Sequence, residues 1–190
     1  SQVPGTDYSV TYSPVCRIES VRLLLIIANN RNWEVSHLDV NSVFLQAPLL
    51  QGEEIYVSQA PVIIERDLST EIPICKLKIS LYGLKQSPRN WNIAFTNPLV
   101  EYGFKSLVSD PSIYLYRNGN DIVFLLLFVD DALIYGSSTS LVDQVKKYLP
   151  NMYIMKDLGR IKLILGIQVM YDDVTGKIKL SQEKMPTHYY

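Results

Sequence analysis

The chain has 190 residues, of which 47% are hydrophobic and 19% charged, enough apolar side chains for one sizeable core and too many for an intrinsically disordered segment. Eighteen basic against nineteen acidic residues leave a net charge of −1. That excludes a protein held to nucleic acid or acidic membranes by bulk charge, so any polyanionic partner must meet local basic patches.

In chain order, residues 1–15 carry Pro4-Gly5 and Pro14 and read as an irregular lead-in. From Arg17 to Asn30, Ile18, Val21, Leu24, Leu25 and Ala28 fall at helical spacing, and Leu23, Ile26 and Ile27 widen the stripe, which predicts a largely buried helix. Trp33 to Val40 reads as a short strand. Glu53–Val57 and Ile74–Ile79 read as two more, separated by a polar connection around Glu65–Glu71. Ser87-Pro88 suits a helix start, with Ser as cap and Pro in the first turn. Trp91, Phe95, Leu99 and Tyr102 continue that helix on one face, Gly103 stops it, and Pro98 is expected to kink or shorten it.

Ile113–Tyr116 and Ile122–Val129 read as strands joined by a hairpin at Arg117–Asn120, followed by a third strand, Ala132–Tyr135. A helix is predicted over Ser140–Leu149. Ile161–Tyr171 and Lys177–Leu180 read as a closing hairpin. The mixture predicts an α+β fold, an antiparallel sheet with helices packed on one face.

The two cysteines, Cys16 and Cys75, have no Cys or His at ligand spacing, which predicts reduced, mostly buried thiols and neither a disulfide framework nor a zinc site. The longest apolar runs, Leu23–Ala28 and Ile122–Val129, are far shorter than the ~20 residues of a membrane helix, so no membrane partner is expected. No signal peptide opens the chain. It begins at Ser1 and not at Met, and is expected to be a piece of a longer polypeptide.

Three features carry chemistry. Asp130 and Asp131 sit side by side between two strongly apolar strands. Adjacent like charges in a partly dry setting repel, and a divalent cation relieves them; a solvated turn is the simpler alternative. Asp39, at the end of its strand, becomes a third ligand if that strand lies beside the Asp130 hairpin, and otherwise caps the turn after it. Tyr171-Asp172-Asp173 also pairs two acids, but a polar turn follows, which predicts a solvated loop. Thirdly, Cys75–Arg89 holds Lys76, Lys78, Lys85 and Arg89 and no acid, suited to a nucleotide or nucleic-acid backbone or simply to an exposed basic face. Lys146, Lys147, Lys156, Arg160 and Lys162 form a second basic group, read as exposed helix and loop.

Tyr12-Ser-Pro-Val, Leu38-Asp-Val-Asn-Ser-Val-Phe-Leu45, Glu54-Ile-Tyr-Val57, Cys75-Lys-Leu, Ser80-Leu-Tyr-Gly-Leu-Lys-Gln-Ser-Pro-Arg89, Asp110-Pro111, Phe128-Val-Asp-Asp131, Met155-Lys-Asp-Leu-Gly159 and Leu165-Gly-Ile167 occur in one order across nearly the whole chain. Together they resemble the reverse transcriptase of Ty1/copia-type retrotransposons. The resemblance implies a palm-type polymerase core adding dNTPs to a primer on an RNA or DNA template. It implies two Mg²⁺ ions, or Mn²⁺, held by Asp39, Asp130, Asp131 and the backbone carbonyl of Val40. Phe44 resembles the steric gate against a ribose 2′-OH. Tyr82, Gly83, Lys85 and Gln86 match the nucleotide pocket, Arg89 lies near template or nucleotide, and Leu165-Gly166 matches the turn under the primer 3′ end. RNase H and integrase segments of the same polyprotein, and a cytoplasmic virus-like particle with nuclear access, are the implied setting.

There are departures. The fingers' basic strand would precede Ser1-Gln-Val-Pro-Gly5, and most of the thumb would follow Ser181-Gln-Glu-Lys184, so one domain with incomplete fingers and thumb, truncated at both ends, is expected. Asn41-Ser42-Val43 stands where Lys-Thr-Ala is usual. A non-catalytic palm remnant that binds nucleic acid or a partner is the alternative reading. An unrelated carboxylate hydrolase accounts for the acids and not for the motifs around them.

Overall fold

The apolar runs on either side of Asp130 become the middle of an antiparallel sheet. In the computed structural model, which describes residues 2–3, 5–6, 8–58, 74–172 and 174–182, the chain folds as two compact units, Ser1–Ser13 with Ser42–Asn97 and Pro14–Asn41 with Pro98–Tyr190. Its elements are α1 (Ile18–Asn30), β1 (Glu34–Val40), a short 3₁₀ turn (Val43–Gln46), β2 (Tyr56–Ser58), β3 (Ile74–Lys76), α2 (Ser87–Tyr102), β4 (Lys105–Ser106), β5 (Ile113–Asn118), β6 (Asp121–Phe128), β7 (Asp131–Gly136), α3 (Thr139–Tyr148), β8 (Met155–Gly159), β9 (Leu163–Ile164), β10 (Ile167–Asp172) and β11 (Lys177–Ser181). The expected connection around Glu65–Glu71 lies outside the described residues. Among those described, no helix is long and apolar enough to cross a membrane.

The second unit is built on a six-stranded sheet in the order β4-β5-β6-β7-β1-β8, every pair antiparallel. Period-2 alternation assigns its two faces. Val35, Leu133, Tyr135, Leu126 and Ile113 lie on one face and gather with Val21, Leu24, Leu25 and Ala28 of α1. Gly136, next to Tyr135, points the other way, and a Cβ there would stand 2.3 Å from Val142 Cγ2 of α3. Thus α1 and α3 cover opposite faces, which corrects the expectation of helices on one face: burying both sides of such apolar strands takes a layer on each.

α1 is less buried than its stripe predicts, since Leu23 and Ile26 are about half exposed. Its N-terminus is held from a distance. Arg17 at the cap offers no side chain, and the buried Asp110, after β4, accepts hydrogen bonds from the Arg17 amide (3.2 Å) and the Ser20 hydroxyl (2.7 Å). α3 carries its own cap, the Ser138 hydroxyl accepting from the Leu141 amide at 3.4 Å. The predicted strand Ile161–Tyr171 is instead folded back: Leu165 and Gly166 take positive φ (50° and 74°) between β9 and β10, which pair as a hairpin. β10 then pairs with β11.

In the first unit, β2 and β3 form a two-stranded ribbon, with Lys76 paired to Glu54. Cys75 in this ribbon is exposed, and only Cys16 is the buried thiol expected of both. α2 runs to Tyr102 without stopping at Pro98, and Gly103, with φ 112°, ends it as predicted. Ser87 is the first helical residue, not the cap. Its hydroxyl donates to the Leu81 carbonyl at 2.6 Å.

Candidate active site

β1 and β7 bring the carboxylates of the second unit together. Their register places Asp39 directly opposite Asp131, and in an antiparallel pair opposite residues share a face. Asp130 occupies the two-residue turn between β6 and β7 with Val129, and its carbonyl accepts the Val40 amide at 2.8 Å, which locks this turn to the end of β1. Val129 has φ 50°. A β-branched residue in the left-handed region is strained, and such strain is found where a turn is held for function.

The acids lie close enough to oppose the charge of Asp130. Asp130 titrates above the ordinary carboxylate range, first because of burial and then because the charges of Asp131 and Asp39 oppose its ionisation. Among the described residues, no three acidic, His or Cys side chains converge tightly enough to hold an ion by themselves. The donor set still fits Mg²⁺: hard carboxylate oxygens, too few for a closed cage, suit an ion that takes one or two carboxylates and completes its shell with phosphate oxygens and water. The raised Asp130 pKa marks the charge that such an ion relieves.

Beside these acids is a cavity of about 490 Å³ lined by His37, Asp131, Leu158, Arg160, Lys162, Leu163, Ile164, Leu165 and Gly166. The structure therefore brings the Leu165-Gly166 turn to the same space as Asp131.

The first unit holds the other predicted residues. The ring of half-buried Phe44 meets exposed Tyr82 edge-on at 4.9 Å. Gly83 has φ 94° and open space where a Cβ would be. Lys85 is exposed and its amide donates to Gln2 Oε1 at 2.8 Å. Gln86 is wholly buried, its side-chain oxygen accepting from Gln2 Nε2 at 2.9 Å, so it is turned inward and not presented to a ligand. Arg89 is half-buried on the first turn of α2.

The family model for "Reverse transcriptase (RNA-dependent DNA polymerase)" matches residues 1–188. The chain belongs to the reverse transcriptase family. It is 39% identical to the retrovirus-related Pol polyprotein from transposon RE1 of Arabidopsis thaliana over 168 residues, 88% of this chain and 11% of that protein. It is likewise 39% identical over 184 residues to the Pol polyprotein from transposon TNT 1-94 of Nicotiana tabacum, 96% of this chain and 14% of that one. The transposon Ty1-NL2 Gag-Pol polyprotein of Saccharomyces cerevisiae is 29% identical over 193 residues, 98% of this chain and 10% of its own length. The chain thus spans about a tenth of the length of these polyproteins.

One residue of this candidate site, His37, is not singled out by the sequence. His37 is buried, and its Nε2 lies 2.6 Å from Asp131 Oδ1. The signal was local: two residues before Asp39 on a strand means the same face. Arg160 and Lys162 are exposed on loop, as expected, and they also line the cavity, with the Arg160 guanidinium 3.5 Å from the centre of the Tyr171 ring. Both lie in the connection between β8 and β9, and nothing in their spacing signals which cavity that connection borders.

Proposed function

We propose that this chain is the palm of a retrotransposon polymerase, adding deoxynucleotides to a primer 3′ end on an RNA template. The observation that supports it most is the convergence of Asp39, Asp131 and the Asp130 turn beside a cavity walled by Leu165-Gly166. In this reading Asp39 and Asp130 are the principal Mg²⁺ ligands, with Asp131 and the Val40 carbonyl in support. Two divalent ions, Mg²⁺ or Mn²⁺, would activate the primer hydroxyl and stabilise the pyrophosphate oxygens when bound.

The chain's own residues position and screen. Arg160 and Lys162 supply positive charge along the wall where a primer backbone would run, and the Leu165-Gly166 turn offers backbone close to its end. Phe44, packed on Tyr82, is a firm aromatic edge of the kind that rejects a ribose 2′-OH. In this reading Gly83 would give a nucleotide close access to backbone, Lys85 and Arg89 would supply positive charge for phosphates, and Gln86 anchors their loop to Gln2. On the same reading, RNase H and integrase segments of one polyprotein would be its partners, and a virus-like particle its setting.

The test is Mg²⁺-dependent primer extension on an RNA template by the 190-residue chain, with Asp130→Asn as control. Extension lost on that substitution, with circular dichroism unchanged, is the expected result. A folded chain that binds primer and template without extending it, whether or not Asp130 is present, would favour the non-catalytic remnant.

A further inference from the structure

Asp131 differs from its two acidic neighbours in having a dedicated partner. His37 sits on β1 on the same face as Asp39, buried, with its Nε2 2.6 Å from Asp131 Oδ1. An ionised carboxylate only accepts, so Nε2–H is the donor in this contact. The bond is short and reaches across from β1 to β7, between strands already in register, so neither group can swing away without leaving the other's polar atom unpaired in a mostly dry place. One consequence is geometric. With Oδ1 accepting from His37, the orientation of the Asp131 carboxylate is set, and its other oxygen can turn to a cation.

We infer that His37 is the positioning residue of the metal site: it holds Asp131 by one oxygen and aims the other at the cation carried by Asp39 and Asp130. The inference rests on the polymerase reading above. Carboxylates paired to metal-ligating histidines are familiar as second-layer supports at metal centres, where losing such a partner weakens metal binding about 10- to 100-fold. Here the polarity is inverted. The carboxylate is the ligand and the imidazole is its support.

The test uses metal alone. Mn²⁺ binding to the 190-residue chain, followed by the paramagnetic resonance of the free ion, is compared for wild type, His37→Gln, His37→Asn, Asp39→Asn and Asp130→Asn. The Gln amide reaches to where Nε2 lies and the Asn amide only to where Nδ1 lies, so the pair separates reach from polarity. We expect His37→Asn to weaken Mn²⁺ about tenfold or more and His37→Gln to restore most of the affinity. If Asp39→Asn weakens Mn²⁺ and His37→Asn does not, the positioning role is overturned and the carboxylate site stands. If no substitution moves it, both fall.

A second measurement needs no substitution in the measured protein. Long-range proton–nitrogen correlation of the imidazoles reports which ring nitrogen carries the proton, and comparison with His37→Gln assigns the signals against His188, the other histidine. Protonated Nε2 on His37, shifted on addition of Mg²⁺, is the expected outcome. A bare Nε2, or a ring indifferent to Mg²⁺ that moves the Asp131 amide, would overturn the inference.

Discussion

Two acidic hairpin turns of the same unit look alike in sequence and are opposite in physics. At the β10–β11 turn, Asp172 accepts hydrogen bonds from the Val174 amide (3.0 Å), the Thr175 amide (3.1 Å) and the Thr175 hydroxyl. The Thr175 hydroxyl above all, with those amides, holds its carboxyl below the ordinary value. Its neighbour Asp173 lies outside the described residues. At the β6–β7 turn, burial first and then Asp131 and Asp39 push Asp130 above that value. The backbones differ in the same sense. Gly176 takes φ 65° at no steric cost, whereas Val129 is held at φ 50°. An acid marks a candidate site where neighbouring carboxylates oppose its charge and the backbone holds it there at a cost.

The sharpest way to break this comparison is to neutralise one acid in each turn. Asp130→Asn should lower primer extension by at least about a hundredfold, the scale set by losing a group that stabilises charge in a transition state. Asp172→Asn should leave extension unchanged within about twofold, since no transition-state contact is lost. Equal losses would mean that the two turns act alike and that the electrostatic contrast has no functional meaning.

Asp110 extends the comparison to an acid that is buried and fully answered. It accepts from the Ser20 hydroxyl, the Arg17 amide and the Ser112 amide, and it is the cap that α1 does not provide for itself. Asp110→Ala should cost about 1–2 kcal/mol of stability, the loss of a helix cap with buried donors left unpaired. Urea unfolding measures it, and an unmoved midpoint would show that α1 is held by its apolar face alone.

How much of this was legible depends on whether the signal was local. Strands β5 to β7 announce themselves by apolar runs around Asn118-Gly119 and Asp130-Asp131. Ser138 is visible as a cap because its partner, Leu141, is three residues on. Asp110 meets Ser20 across 90 residues of chain, and no periodicity reports such a pairing. The β9–β10 hairpin is hidden by its pattern: Ile161, Leu163, Leu165, Ile167, Val169 and Tyr171 recur at every second position, so period 2 predicts one strand through what is a left-handed turn at Leu165-Gly166. The family motif marked a turn there where the pattern did not. In α1 the stripe showed which residues are apolar but not how far the sheet reaches to cover them, which leaves Leu23 and Ile26 exposed. His37 is legible by face, since a residue two positions before Asp39 on a strand shares its face.

The backbone half of the comparison is tested by exchanging the strained residue for the relaxed one. Gly176→Val puts a β-branched residue at φ 65° and should cost about 1–2 kcal/mol. Val129→Gly removes the same strain but frees the unfolded chain, so its net gain should be smaller, about 0.5–1 kcal/mol. It should also slow extension, because the Asp130 turn is then less firmly held. A Val129→Gly chain that is both more stable and as active as wild type would show that the left-handed valine serves no purpose at the site.

The smallest expected effect is in pH, and the two acids should show opposite signs. Asp130 has a folded pKa above its unfolded value of about 3.9, so its ionisation opposes folding. That cost is absent below the unfolded value and is fully present once pH has risen through the folded one. Asp130→Asn should therefore stabilise the chain at neutral pH, with an advantage that shrinks as pH falls through the raised value. Asp172 has its folded pKa below the unfolded value, so it contributes stability above about pH 3.9 and loses it as pH falls through the folded value. Asp172→Asn should accordingly destabilise at neutral pH, and its deficit should close only at more acidic pH, below the window in which the Asp130→Asn advantage disappears. Melting temperatures of the three proteins between pH 3 and pH 7 decide it. Difference curves of the same sign would mean that both turns are solvated alike and that the repulsion among Asp39, Asp130 and Asp131 is screened away by water.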